Sequence, residues 1–292
     1  MMNIVNILGG LGNQMFQYAF AYSLVQKKKS VVKLDISSFE TYDLREYELD
    51  LFKVTLGIAT ADECNSLKYK QENLLQKKIR KLRKTSTPFA NSYYKEPHFN
   101  FDEKVYEHRN NSYFEGYWQS EKYFLKFRED LLQEFTLKKE LHSQSKEYQK
   151  KILSTKSVSL HIRRGDYVSN AHTNSVHGTC DLEYYKKAVS DIQKNVQHPH
   201  FFIFSDDLPW AKENLDFIIN ITFVDVTEDI PDHEEMILMS QCQHNIIANS
   251  SFSWWGAWLN QNSEKIVIAP EKWFTDTSIN TNDLIPSSWT RL

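Results

Sequence analysis

The first 36 residues restrict the fold more than any other part of the chain. Apolar NIVNIL (3 to 8) has the composition of a buried strand, and GGLG (9 to 12) that of a tight turn. NQMFQYAFAYSLVQKK then carries Met15, Phe16, Ala19, Phe20, Ser23 and Leu24 along one helical face, and SVVKLDI (30 to 36) is a second strand. Two strands joined by a crossover helix run parallel. Parallel sheets are covered by helices on both faces, so an α/β protein follows.

The alternation lapses in the middle of the chain and then restarts. From Ala61 to Lys84 the sequence is polar and helical, ending in QKKIRKLRK, and FEGYWQSEKYFLKFREDLLQEF (114 to 135) reads as a strand and a helix. The glycine-free, proline-free stretch KKELHSQSKEYQKKILSTKS reads as a joining helix or linker, which puts a boundary at 154 and domains at 1–154 and 155–292. Beyond it come strands SVSLHI, HFFIFS, ITFVDV, HNIIAN and EKIVIAP, separated by helices DLEYYKKAVSDIQKN, LPWAKENL, EEMILMSQC and SFSWWGAWLNQ. This is a second doubly wound unit. A length of 292 residues suits two domains.

Composition removes several function classes. A net charge of −3 and a pI near 6.4 oppose a primary nucleic-acid partner. Cys64, Cys180 and Cys242 are too few and too scattered for a disulfide framework or a zinc ribbon, which fits a reducing cytoplasm. The N-terminus reads as a strand and not as a signal peptide, and no run reaches the roughly 18 apolar residues of a membrane span. An aromatic fraction of 14% is high, and it serves either sugar-lining sites or aromatic packing.

Ligands of open α/β sheets bind at the carboxyl ends of the strands. Three polar clusters fall at such ends: HIRRGD (161 to 166), FSDD (204 to 207) and NSSFSWW (249 to 255). Strand alternation sends His161 and Arg163 to one side and Arg164 to the other. Arg163 suits a bidentate grip on phosphate, and Arg164 an ion pair with Asp166 that braces the loop. Ser250, Ser251 and Ser253 lie at a helix start, where backbone N–H groups attract anions and where serine also serves as a simple cap. Asp206 and Asp207 suit either the donor edge of guanine or a helix cap. Their adjacency does not suit joint ligation of one metal ion, and no metal site is expected. The three tryptophans Trp254, Trp255 and Trp258 read as packing. Near the N-terminus, Gly10-Leu11-Gly12 with Asp35 beyond it imitates a dinucleotide fingerprint, but Met15 holds the third glycine position. The turn still signals close approach of backbone to a ligand or a facing domain, with Asn13 and Gln14 in reach.

Taken in order, GGLGNQMFQYA, HIRRGDYV, HGTCDLEYY, FSDDLPWAKENL and NSSFSWWGAWLN span nearly the whole chain. Together they resemble the α-1,2-fucosyltransferases of glycosyltransferase family 11 in their bacterial, anchor-free form. The resemblance implies a GT-B architecture, with two Rossmann-like domains facing across a cleft. It implies metal-independent, inverting transfer of L-fucose from GDP-β-L-fucose to the 2-hydroxyl of a terminal β-galactoside, in glycan or O-antigen synthesis. Carried over, Arg163 holds the β-phosphate with Arg164 beside it. His161, Asp206 and Asp207 lie by the nucleoside, and Ser250, Ser251 and Ser253 by the phosphates. Gly10, Gly12 and Asn13 close the cleft from the acceptor-side domain. Asp166, His177 and Asp181 are the candidate general bases, with Asp166 placed first, and the leaving phosphate is an alternative proton acceptor.

Two readings from other classes compete: a dinucleotide-dependent oxidoreductase built on GGLGNQ, and a non-catalytic carbohydrate-binding protein. The first leaves the later clusters unexplained, and the second, motivated by the many aromatics, is separated by turnover of GDP-fucose. The implied partners are GDP-fucose and a galactose-terminated oligosaccharide, a lipid-linked glycan being one candidate. The expected place is the cytoplasm. The basic run Lys77, Lys78, Arg80, Lys81, Arg83 and Lys84 is either a solvated helix face or a peripheral contact with the inner membrane.

Overall fold

The computed structural model of the chain describes residues 1–41, 45–165, 176, 178–225 and 231–292. Two units emerge. Unit 1 comprises Met1–Lys138 with Asn282–Leu284, and unit 2 comprises Lys139–Thr281 with Ile285–Leu292.

Unit 1 is built on a parallel sheet of β1 (Met2–Asn6), β2 (Val31–Asp35), β3 (Tyr93–Lys95) and β4 (Tyr113–Glu115), in the order β2-β1-β4-β3. Helix α1 (Leu11–Lys28) is the expected crossover, and its last turn carries Lys27 and Lys28, a favourable end for cations. Left-handed Lys29, at φ 48°, stops it. The middle segment resolves into α2 (Ala61–Lys68) and α3 (Leu74–Arg83), followed later by the short α4 (Arg128–Glu134). Much of the aromatic excess packs here: Phe20 and Trp118 stack at 3.9 Å, with Phe114 and Tyr123 edge-on to Phe20. Residues 282–284 return to this unit because Asp283 accepts hydrogen bonds from Asn100, Phe101 N–H and Lys122.

Unit 2 holds a second sheet: β5 (Ser157–Ile162), β6 (His200–Ser205), β7 (Ile221–Phe223), β8 (His244–Ile246), β9 (Val267–Ala269) and β10 (Thr290–Arg291). All pairings are parallel, in the order β10-β9-β8-β5-β6-β7, and β5 runs in register with β6 from Ser157↔His200 to Ile162↔Ser205. Its described helices are α5 (Ser143–Leu153), α6 (Leu182–Asn195), α7 (Leu208–Asn214), α8 (Asp232–Gln241) and α9 (Ser251–Leu259). Trp254, Trp255 and Trp258 are buried on α9, as expected of packing residues.

The division falls at Lys138/Lys139 and not near 154. The reason is tertiary. His142, just ahead of α5, donates its N–H to Glu234 of α8 and places its ring Nδ1 2.7 Å from the same carboxylate. Ile152 of α5 is buried among Phe202, Phe204, Leu238 and Met239. The joining helix is therefore part of the second core.

Candidate functional site

In unit 2 the strand order reverses direction at β5, with β6 and β7 on one side and β8, β9 and β10 on the other. A ligand crevice is expected outside the carboxyl ends at that switch point. The residues there come from 161–165 after β5, 205–207 after β6 and 248–251 after β8. These are the three clusters singled out from the sequence, so one edge gathers His161, Arg163, Arg164, Asp206, Asp207, Ser250 and Ser251.

The arginines do not sit on opposite sides of a strand, because β5 ends at Ile162. Each instead meets one carboxylate from the neighbouring strand end. Arg163 Nη1 lies 3.1 Å from Asp206 Oδ2, and Arg164 Nε donates to Asp207 Oδ2 at 3.2 Å. Arg164 is further fixed by its backbone N–H donating to Asp206 Oδ1 at 2.8 Å and by its guanidinium stacking 4.2 Å above the Trp210 ring. Asp207 also caps α7, accepting from Trp210 N–H. Gly165 completes the corner: a Cβ there would come within 2.9 Å of Asp206 Oδ2. Asp206 and Asp207 are thus engaged by the arginines, and Asp207 also by the α7 cap, which is the expected alternative to a base contact for Asp207. Asp166 and His177 lie outside the described residues, so Arg164 is braced here by Asp207. Asp181 caps α6, accepting from Tyr184 N–H at 2.8 Å, a structural duty that takes it from the base candidates.

The hydroxyls separate by depth. Ser250 caps α9 through Phe252 N–H, and Ser251 is half-buried beside it. Ser253 is fully buried and donates back to the carbonyls of Ala248 and Ser250, so it is removed from the expected phosphate set. His161 is buried against Phe252, and burial with the Arg163 charge pushes its imidazole down to about 3. It is neutral at physiological pH, and its Nδ1 finds no hydrogen-bond partner among the described residues. Such an orphan in a strand-end crevice suits a ligand polar group.

Glu235, in the first turn of α8, belongs to none of the sequence motifs. Burial, and then the charges of Asp232 and Asp206, push its carboxyl up to about 8, with Arg163 opposing them. It is a protonated, buried carboxyl beside the arginine cluster. The signal in the sequence was a glutamate at an inward position of an apolar helix, EEMILM. Among the described residues no group of three or more His, Cys, Asp or Glu could hold a metal ion.

Unit 1 has its own switch point between β1 and β4. The turn after β1 demands glycine at Gly9, at φ 81°, and not at the expected Gly10 or Gly12. Gly10 is the N-cap of α1 without side-chain assistance, and Gly12 is buried in its first turn. Gln14 clamps the turn by donating to the carbonyls of Gly9 and Glu46. Gln17 accepts from Leu8 N–H and donates to the Gly116 carbonyl, tying the loops after β1 and β4 together. Above them Gln119 Nε2 donates to Asn13 Oδ1 at 2.7 Å, and Tyr117 is 43% exposed. Glu96 supports this edge by accepting from the N–H groups of Tyr117 and Trp118, and burial raises its pKa. Asp35 accepts from Tyr113 Oη and Ser37 N–H, a structural role and not that of a ribose ligand.

Comparison with known proteins supplies the remaining observations. The model of the family described as glycosyl transferase family 11 matches residues 1–292. An alpha-1,2-colitosyltransferase of Escherichia coli is 35% identical over 299 residues, covering 99% of this chain and 98% of that protein. The O-antigen biosynthesis glycosyltransferase WbnK of Escherichia coli is 34% identical over 307 residues, covering 97% and 98%. Among solved structures, fucosyltransferase NodZ from Bradyrhizobium is similar with a TM-score of 0.51 at 13% identity, covering 88% of this chain and 92% of that one. That likeness shows the fold, the two-unit α/β class named GT-B.

Proposed function

The chain belongs to glycosyltransferase family 11, and from that premise we propose that it moves L-fucose from GDP-β-L-fucose to the 2-hydroxyl of a terminal β-galactoside with inversion. The observation that carries the reading is the arginine pair held by aspartates of the adjacent strand end, with the serine-capped start of α9 at the same end of the sheet. In the transfer the acceptor oxygen bonds to the anomeric carbon while the bond from that carbon to the phosphate oxygen breaks. GDP leaves with the electron pair. Arg163 exchanges Asp206 for the β-phosphate, because a partly exposed ion pair contributes only about 0–1 kcal/mol and a bidentate phosphate contact is stronger. Arg164 stays on Asp207 and Trp210 and keeps its partner aligned. Ser250 and Ser251 with the α9 N–H groups face the phosphates. Neutral His161 presents Nδ1 to the nucleoside. Asp166 takes the acceptor proton, or the leaving phosphate does.

The acceptor is assigned to unit 1. Asn13, Gln119 and Tyr117 offer amides and an aromatic face without net charge, which suits a neutral sugar ring. Gly10 and Gly12 belong to the turn that carries Asn13.

The 35% identity to a colitosyltransferase favours a second donor, GDP-colitose, whose sugar is fucose without the 3-hydroxyl. Incubation with each donor and a panel of β-galactosides, followed by linkage analysis, decides between them. A site that hydrogen-bonds the 3-hydroxyl should discriminate against the deoxy sugar by about 10⁴-fold, and one with only apolar contact there far less. Turnover is expected to persist in excess EDTA, since the arginines supply the charge opposite the leaving group. Absence of transfer from both donors, or a strict metal requirement, sinks the reading.

A further inference from the structure

Residues 70–88 leave the body of unit 1 as an arm. Its neck is closed by the antiparallel bridge of Tyr69 with Phe89, by the hydrogen bonds Lys70 N–H to Pro88 and Ala90 N–H to Lys68, and by stacking of Phe89 on Tyr69 and Tyr93. Beyond the neck lies α3, none of whose residues is buried. Leu74 is 87% exposed, Leu75 67%, Ile79 42% and Leu82 85%. Leu75, Ile79 and Leu82 recur at i, i+4 and i+7 and so form one apolar stripe, which Leu74 extends at the N-terminal end.

The rest of the helix surface is cationic. Arg80 pairs with Glu72 at 2.9 Å, whereas Lys77, Lys78, Lys81, Arg83 and Lys84 make no ion pair among the described residues. Asn73 and Gln76 close a reciprocal capping box and left-handed Lys84 ends the helix, so local interactions specify it without help from a core. A ten-residue helix held by caps alone is marginal in water and gains from a surface that receives its apolar side.

We propose that α3 is an interfacial membrane helix that lays Leu75, Ile79 and Leu82 into an anionic lipid surface, with its unpaired cations at the headgroups. The chemistry selects that occupant: an apolar stripe flanked by lysine and arginine matches anionic headgroups over acyl chains. A second copy docking through the same face would set one cationic helix against another, a like-charge arrangement. The proposal does not depend on the donor or acceptor assignments above.

The test is sedimentation with vesicles of phosphatidylcholine alone and of phosphatidylcholine mixed with phosphatidylglycerol, alongside turnover of a water-soluble acceptor. The full chain should bind the mixed vesicles and release them as salt rises. A variant carrying Leu75→Ser, Ile79→Ser and Leu82→Ser, and one carrying Lys77→Gln, Lys81→Gln and Lys84→Gln, should each lose binding by about tenfold or more while soluble turnover and melting temperature stay the same. No binding of the parent chain at low salt overturns the proposal. So does undiminished binding by the serine variant, or a dimer of the parent chain that the serine variant abolishes.

Discussion

At the scale of the residue, Arg163 and Arg164 are chemically alike but differently held, and the difference predicts different failures. Arg163 meets Asp206 in a partly exposed contact worth about 0–1 kcal/mol, so losing that contact should cost the unliganded fold little. For Arg163→Lys the charge stays and the fork is lost; removing one partner of a desolvated charge contact costs about 2–5 kcal/mol, roughly 30-fold to several thousandfold in turnover. Arg164→Lys loses the Trp210 stacking and the Asp207 contact, so its melting temperature should fall and activity follow. Turnover and melting curves of both variants check this, and a stable, inactive Arg164→Lys would reverse the assignment. Glu235 gives a pH prediction. Its folded pKa of about 8 lies above the ordinary 4.5, so between those values the unfolded chain releases a proton that the fold retains. Stability attached to the group is complete at low pH and is lost as pH rises through the folded pKa. Glu235→Gln should melt like the parent chain near the low end of that window and above it at alkaline pH. A melting gap independent of pH would contradict the burial argument.

At the scale of the element, what the sequence disclosed depended on whether neighbours were needed to define it. β1, α1 and β2, and the strands of unit 2 from β5 to β9, each carry their own apolar run or periodicity, and the three clusters at their ends could be located before the fold was known. β3 and β10 could not: three and two residues on sheet edges leave no period to read. The polar helix α5 joins the second core through contacts such as buried Ile152, Tyr148 with Asp225 and, just ahead of it, His142 with Glu234, which tertiary packing alone reveals. Likewise a row of hydroxyls at a helix start does not declare which point inward, and Ser253 does. The loops after β1 and β4 were legible as a glycine turn but not as a pair, since Asn13 and Gln119 are 106 residues apart. That pair supports an acceptor test. Tyr117→Ala and Gln119→Ala should raise KM for a β-galactoside by about tenfold each, as expected for loss of a stacking face or a sugar hydrogen bond, and leave GDP binding unchanged. Weakened GDP binding by either variant would move these residues to the donor.

At the scale of the whole molecule, each unit owns a sheet and a switch point, and the proposed division of labour rests on what each switch point offers. Unit 2 concentrates two arginines, a helix start and a buried neutral histidine, a set matched to a nucleoside diphosphate. Unit 1 concentrates amides and an exposed tyrosine, a set matched to a neutral sugar. A ligand stabilises the elements that bind it, because local opening must first release it. Hydrogen exchange should therefore resolve the two roles on one molecule. GDP alone should slow exchange at 161–165, 205–207 and 248–251 in unit 2 and leave 8–14 and 116–119 in unit 1 at their unliganded rates. A β-galactoside added with GDP should then slow exchange in the unit 1 loops, and Tyr117→Ala should cancel that second effect while preserving the first. Slowing of the unit 1 loops by GDP alone, with the unit 2 strand ends unchanged, would assign the donor to the other sheet.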